Sequence, residues 1–293
     1  MSIRAIIKEL SSERWNIGFI NNSLQSVIDG EPISVRWMNH NIKNSWCADP
    51  FILRSDDNEI IVLCEEFYKP TSLGRISRLS IDRKSMNLNS LDVILELDTH
   101  LSFPNIQRID GRVYIYPENG KSGKLTRYLY NDETKSCTFD SILVDDALAD
   151  SSIYEDKDKV YLFATPSSNG NGNVLRIYEK DSNSNSFSHF IEYTFNERIA
   201  RMAGAFFSYN GKVYRPTQEC NVQYGHAVTL QEVIFHNDQW EFKEVRRLYS
   251  VNPKLNVGMH TFNVYENFIV TDALGFDRQW IRKILRFFKI LNH

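Results

Sequence analysis

The stretch DPFILRSDDNEIIVL, residues 49–63, reads as two short apolar strands around a polar turn, and the same pattern returns four more times along the chain. The later copies are FPNIQRIDGRVYIYPE from Phe103, DSSIYEDKDKVYLFAT from Asp150, GAFFSYNGKVYRPTQE from Gly204 and HTFNVYENFIVTD from His260. Successive copies open 47 to 56 residues apart, and a fixed period of this length is the mark of a repeat architecture. Their turns, SDDNE, IDGR, EDKDK, YNGK and YEN, supply the Asp, Asn and Gly that tolerate tight hairpin geometry.

Further strand candidates lie between the copies: GRISRLSID, LTRYLYND, VLRIYEKD and AVTLQEVIF. About four antiparallel strands in each repeat of ~50 residues describe a propeller blade. Five copies therefore predict an all-β, five-bladed β-propeller over residues 1–273, with inner strands near 49, 103, 150, 204 and 260. WNIGFI, residues 15–20, precedes the first copy and is placed to supply a missing outer strand of the last blade, closing the ring. A two-sheet sandwich would also contain many short strands, but it does not require this period.

Composition narrows the function. Basic and acidic residues number 34 and 37 and are well mixed, so the one-sided positive footprint of a nucleic-acid binder is missing from the sequence. Cys47, Cys64, Cys137 and Cys220 lie far apart without CxxC spacing, which predicts four free thiols and a reducing, cytoplasmic setting. The chain contains no GxGxxG after a strand, no Walker loop, no GxSxG elbow and no HExxH. NGNGN at 169–173 reads as a flexible blade tip.

In a propeller the innermost strands start at one end of the central channel, so Asp49, Phe103, Asp150, Gly204 and His260 are predicted to face a common funnel. Two carboxylates and an imidazole from separate blades make a polar concavity that packing does not demand. His100 in HLSFPN and Arg201 in RMAG precede inner strands. Glu118, and Arg215, Gln218 and Glu219, end hairpins, and Tyr224 and His226 follow in QYGH. Arginines suit phosphate or carboxylate and aromatic faces suit sugar rings, so a nucleotide-sugar or an acidic sugar is compatible with this set. A divalent cation held in the channel by His260, Asp49 and Asp150 is a further expectation, although no local ligand spacing supports it.

The spelling of the repeats resembles the arabinanase and β-xylosidase type glycoside hydrolases, five-bladed propellers that commonly carry Asp-Pro at the first inner strand and a second Asp at the third. Asp49 in WCADPF and Asp150 in LADSSIY match those positions. The resemblance implies a general base at Asp49 and an orienting, pKa-tuning role at Asp150. The chain resembles more closely the amino-terminal domain of plant glucosamine inositolphosphorylceramide transferases and bacterial relatives encoded with polysaccharide-synthesis genes. Its landmarks are WCADPF, CEEF, GRI, HLSFPN, YIYPENG, DSSIY, RMAG, YRPTQEC, QYG and GMHTFN, over roughly residues 46 to 263. The hydrolases place an acid Glu at the start of the fourth inner strand, where this sequence has Met202, Ala203, Gly204 and Ala205. Hydrolysis would then need Glu118 or Glu219 as a substitute acid.

The expected function is therefore glycosyl transfer from an activated donor in surface-polysaccharide assembly. Asp49 would be the base and Asp150 its electrostatic partner, with Arg201 and Arg215 on phosphate or acidic sugar, and His100 and His260 positioning hydroxyls. A hydrolase or phosphorylase acting on a free oligosaccharide, and a non-catalytic glycan-binding module, are the alternatives. After the last copy, DRQWIRKILRFFKILNH spaces Ile281, Ile284, Leu285, Phe288 and Leu291 as one helical face beside five basic residues. Residues 274–293 thus read as a basic amphipathic helix suited, through 278–291, to peripheral contact with an inner membrane face and a lipid-linked glycan acceptor.

Overall fold

A computed structural model describes residues 13–276 apart from 157–158, 182–183 and 238. It contains five four-stranded antiparallel sheets, each formed by strands neighbouring in sequence except where the ring closes. β1 (Glu13–Ile20) and β2 (Val35–Trp37) come first and are joined through the short helix α1 (Leu24–Ile28). Blade 1 comprises β3 (Ser45–Ser55), β4 (Glu59–Tyr68), β5 (Leu73–Asp82) and β6 (Leu88–Leu95). Blade 2 comprises β7 (Ser102–Ile109), β8 (Arg112–Glu118), β9 (Leu125–Asn131) and β10 (Ser136–Val144). Blade 3 comprises β11 (Leu148–Asp156), β12 (Lys159–Pro166), β13 (Val174–Lys180) and β14 (Phe187–Thr194), and blade 4 β15 (Phe207–Tyr209), β16 (Lys212–Glu219), β17 (Ala227–His236) and β18 (Gln239–Leu248).

Blade 5 is assembled from both ends of the chain. β19 (Phe262–Tyr265) and β20 (Phe268–Phe276) are followed by β1 and β2 in the order β19-β20-β1-β2. β1 pairs with β20 along its whole length, from Glu13↔Phe276 to Ile20↔Ile269. The closure expected from WNIGFI is present, and it uses two strands rather than one: β1 is third and β2 outermost. β20 also runs three residues past the expected boundary at 273, with Leu274 buried. Of the carboxy-terminal amphipathic helix expected at 274–293, residues 274–276 belong to β20 instead, and the rest, including the membrane-contact stretch at 278–291, lies outside the described residues.

Two of the inner hairpins show the expected turn chemistry directly. Asp110 and Gly111 have φ 48° and 74°, and Asn210 and Gly211 have φ 49° and 74°, the paired positive values of the tight turns whose twist matches flanking strands. Second strands such as EIIVLC in β4 are apolar on both faces because neighbouring blades cover both. The core accordingly divides into seams between blades: Ile60, Val62 and Leu79 with Ile17 and Val270 between blades 1 and 5, Leu63 and Ile76 with Ile115 and Tyr130 between 1 and 2. Tyr116 packs with Leu162 and Tyr178 between 2 and 3, and Val228 and Tyr214 with Phe262 and Ile269 between 4 and 5. The seam between blades 3 and 4 is aromatic: the Trp240 ring stands edge-on to Phe163 at 5.1 Å and to Tyr161 at 5.0 Å. All four cysteines are free, as the spacing predicted.

Trp240→Ala should cost about 3–5 kcal/mol by opening this seam, whereas Phe139→Ala on the exposed outer strand of blade 2 should stay within about 0.5 kcal/mol. Chemical denaturation of the two variants beside the parent chain measures the contrast.

Candidate functional site

Three inner strands begin with the same distortion. Asp49, Phe103 and Asp150 have φ 50°, 46° and 37°, a left-handed conformation that non-glycine residues rarely hold. Each sits where the register slips by one residue, between Ala48 and Phe51, Ser102 and Asn105, and Ala149 and Ser152. Such a bulge re-aims the side chain and frees a backbone N–H from the ladder. A side chain of a neighbouring blade takes up that N–H: Asp49 N donates to Asp272 Oδ2 at 3.1 Å, Phe103 N to Asp49 Oδ2 at 3.0 Å, and Asp150 N to Glu118 Oε2 at 3.1 Å. In blade 4 the inner strand starts only at Phe207, later than the expected Gly204, and Ala205 N donates to Asn263 Oδ1 of blade 5 at 2.8 Å.

Two charge clusters result. In the first, His260 Nδ1 meets Asp272 Oδ2 at 2.7 Å and its Nε2 lies 3.5 Å from Asp49 Oδ1. Thr261 Oγ1 donates to Asp272 Oδ2 at 2.6 Å, and His260 and Thr261 give their backbone N–H groups to Asp272 Oδ1 at 3.0 and 3.1 Å. Burial disfavours the imidazolium, but Asp272 and Asp49 outweigh it and lift the His260 pKa from 6.5 to about 9. Burial raises Asp49 to about 7, against the opposing pull of His260 and with the charges of Asp150, Glu65 and Asp272 adding to the rise. Asp272 is held below the ordinary carboxylate value: burial pushes it up, and His260 with its other donors more than offsets this.

In the second cluster Arg201 Nε donates to Asp150 Oδ2 at 2.5 Å and its Nη2 to Glu118 Oε2 at 3.0 Å, while Gln218 Nε2 reaches Asp150 Oδ2 at 2.6 Å. The other Asp150 oxygen, Oδ1, is buried with no hydrogen-bond partner among the described residues. Burial raises Asp150 to about 7, Arg201 working against the rise and Glu118 with it. The guanidinium of Arg201 also lies 5.1 Å over the ring of Tyr224, which remains 38% exposed. Trp15 stacks on His260 at 4.0 Å, and Trp46, beside Trp15, stacks on Phe67 at 4.7 Å.

The fold thus gathers Asp49, Asp150, Glu118, Arg201, Gln218, Tyr224 and His260 as the sequence anticipated. His100 joins them at the edge, accepting from Gly74 N at 2.9 Å and facing Glu65 Oε1 at 3.2 Å. Glu219 is buried on the neighbouring rim, where Oε2 meets His226 Nδ1 at 2.5 Å and Oε1 accepts from Asn221 N at 2.6 Å. Arg215 does not reach the channel, and its expected place on phosphate or acidic sugar is corrected. Its fully buried guanidinium lies 5.4 Å from the Phe195 and Phe242 ring centres and donates to Gln231 Oε1 at 2.9 Å and to the Ala200 carbonyl. Burial lowers its pKa to about 9.

The position where the resembling hydrolases place an acid is closed here. A Cβ on Gly204 would lie 2.1 Å from the Phe262 carbonyl oxygen and 2.6 Å from Asn263 Oδ1. Met202 and Ala203 are buried, Met202 with its sulfur against Arg215. For a cation, Asp49, His260 and Asp272 offer ligand atoms within 4.8 Å of one another, so Asp272 replaces the expected Asp150 in that group. An imidazole with two carboxylates suits a divalent ion, and the same atoms already satisfy one another by the bonds given above.

Residues 31–273 match the family model described as glucosamine inositolphosphorylceramide transferase 1, N-terminal. The chain belongs to this family. It is 26% identical over 209 residues to glucosamine inositolphosphorylceramide transferase 1 of Oryza sativa subsp. japonica, an alignment covering 69% of the chain and 28% of the relative. Identity to the Arabidopsis thaliana protein of the same name is 24% over 221 residues, covering 73% of the chain and again 28% of the relative. The chain therefore corresponds to a little over a quarter of these transferases' length. In architecture it is similar to a GH43 β-xylosidase/α-arabinofuranosidase from a compost microbial metagenome, solved with xylotriose in a calcium-free form, at TM-score 0.56, 12% identity and coverage of 82% and 93% of the two chains. A GH43_1 enzyme from Xanthomonas citri gives TM-score 0.55 at 9% identity, covering 80% of this chain and 88% of its own. These likenesses show the fold.

Three further residues stand against these clusters that the repeat pattern did not single out. Asp272 closes the fifth repeat's hairpin just as Glu118 closes the second and Glu219 the fourth, so the rule that found those two would have found it. Glu65 is the register equivalent of Glu118: each pairs with the residue before a bulge, Ala48 and Ser102 respectively. Trp15 carried no local signal, because its place beside His260 depends on ring closure.

The sign of the His260 shift fixes a pH window. Its pKa is raised on folding, so its ion-pair stabilisation is complete below 6.5 and disappears as pH rises through about 9. Histidine-selective NMR should show one imidazole titrating near 9, and that signal should vanish in His260→Gln; a midpoint near 6.5 would contradict the cluster.

Proposed function

We propose that the channel binds a sugar and that the domain works in glycosyl transfer, with Asp49 accepting a proton from a sugar hydroxyl. One observation carries this reading: separate blades bring two charge clusters, Asp49–His260–Asp272 and Asp150–Arg201–Glu118, together at one end of the propeller, with Tyr224 against both Arg201 and His260. Burying these charges costs desolvation that their pairing only partly offsets, and carboxylates perturbed in this way cluster at functional sites. A carboxyl near 7 exchanges its proton at neutral pH, which suits a general base. His260, charged at that pH, donates rather than accepts. Arg201 is already neutralised by two carboxylates, so it orients Asp150 and Glu118 and offers its remaining edge to a hydroxyl or an anionic group on the sugar.

Transfer is favoured over hydrolysis by the closed position at Gly204, because hydrolysis of an unactivated bond needs an acid for the leaving group and a nucleotide diphosphate does not. The family name points the same way, and assembly of a surface polysaccharide or glycolipid from an activated donor, on a lipid-linked acceptor at a cytoplasmic membrane face, extends the same proposal. A recognition module without turnover is the second reading. It is favoured by the hydrogen bonds that already engage both oxygens of Asp49 and Asp272.

Saturation-transfer NMR against nucleotide-sugars and free oligosaccharides, with the parent chain beside Asp49→Asn, separates the readings. Transfer predicts nucleotide-sugar binding that survives the substitution within a few fold, with turnover reduced at least about a hundredfold. Binding of free glycans alone, with no turnover in either protein, would leave only recognition.

A further inference from the structure

The NGNGN segment is not a loose tip. Its last glycine, Gly172, donates its N–H to Asn169 O at 2.8 Å and is buried beneath the Asn169 side chain, whose amide lies 2.3–2.5 Å from where a Cβ would be. Asn173 Nδ2 ties the segment to the start of the next crossover through Phe195 O at 2.8 Å. Across from it, Asn221 accepts from Arg198 N at 2.9 Å and donates to Glu197 Oε2 at 2.7 Å. Between these two walls, at the tips of blades 3 and 4, lies an open pocket of ≈ 470 Å³, within the range of small-molecule sites.

Its lining is made of amides. Asn169 and Asn196 make no side-chain hydrogen bond with any described residue, and Arg198 has no carboxylate partner among them. Glu197, the one acid of the lining, is occupied by Arg247 at 3.2 Å as well as by Asn221. An amide offers an acceptor oxygen beside a donor nitrogen, the complement of neighbouring hydroxyls that each give and accept one bond. Nothing here is apolar enough for a lipid chain, and no cluster of cations favours nucleic acid.

The pocket also connects to the channel. Asn171 Oδ1 accepts from Arg201 Nη1 at 3.1 Å, and the same guanidinium holds Asp150 and Glu118. From this geometry we propose that the pocket is a second sugar subsite, taking the next unit of an oligosaccharide whose terminal unit occupies the channel, and that Asn171 links the two through Arg201. The proposal rests on the channel being a sugar site.

The test is a glycan array of monosaccharides and oligosaccharides followed by calorimetry on the best binders, including xylose, xylotriose and β-1,3-galactotriose. The parent chain is compared with Asn169→Leu/Asn196→Leu, at two exposed positions, and with Asp49→Asn. The expected result is that the double variant weakens oligosaccharides about tenfold, the worth of one or two hydrogen bonds, and leaves monosaccharides unchanged. Asp49→Asn, which keeps binding within a few fold, should shift monosaccharides and oligosaccharides alike. Oligosaccharides bound equally by the double variant and the parent, with Asp49→Asn still disturbing them, would overturn the subsite and leave the channel reading standing. No saccharide bound by the parent chain would overturn both.

Discussion

The structure depends on side chains that cross from one blade to the next to receive the N–H freed by a bulge. Asp272 serves Asp49, Asp49 serves Phe103, Glu118 serves Asp150, and Asn263 serves Ala205 while donating to the Pro50 carbonyl at 2.9 Å. A propeller blade has little reason to sit at one height relative to its neighbour if only apolar seams join them, since dispersion and burial are not directional. These bonds are directional and at least partly buried, those to Asp272, Asp49 and Glu118 involve carboxyl groups, and losing one partner leaves a polar group unpaired. They set the register between blades, and they do so at the mouth of the channel, where the site is.

The same residues therefore tie the blades together and form the charge clusters of the proposed site. Asp49 uses Oδ2 to hold blade 2 and presents Oδ1 to Thr261 at 3.1 Å and to His260. Its left-handed backbone points the carboxyl inward, and such strain is stored where function requires it. Phe103 shows what the bulge does without chemistry: the same φ there carries a buried ring that stands edge-on to Phe51 at 5.0 Å. Arg215 contributes from a distance. Its bonds to Ala200 and Met202 grip the residues on either side of Arg201, and Gln218 N donates to the Arg201 carbonyl at 2.9 Å, so the arginine of the second charge cluster is fixed by a buried one.

The fold was legible in the sequence because its evidence is periodic: five hairpins with Asn, Asp and Gly at their turns state the blade count directly. The site was legible in part, for the same reason. Asp49 and Asp150 open repeats, and Glu118 ends one, so equivalence between copies marked them. Arg215 misled because a lone arginine near a strand end says nothing about which face of the strand it takes; β16 turns Gln218 to Asp150 and Arg215 into the aromatic seam. The pocket at the tips of blades 3 and 4 was illegible, since asparagines read as loop composition until Asn169, Asn196 and Asn221, from three separate crossovers, are seen around one opening.

Ring closure and site formation are one event in this molecule. β1 completes blade 5 by pairing with β20 along eight residues, and the strand that does so carries Trp15, whose indole lies flat on the His260 imidazolium at 4.0 Å and 23°. A cation over an aromatic face is stabilised most when water is excluded, and Trp15 is 2% exposed. His260 in turn holds Asp272 and faces Asp49, the residues that bond blade 5 to blade 1. β1 thus shields the charge on which the last interblade bond relies, and an unclosed ring would hydrate His260 and release its hold on both carboxylates. Placing Trp15 on the closing strand makes the charged centre of the channel conditional on a complete propeller.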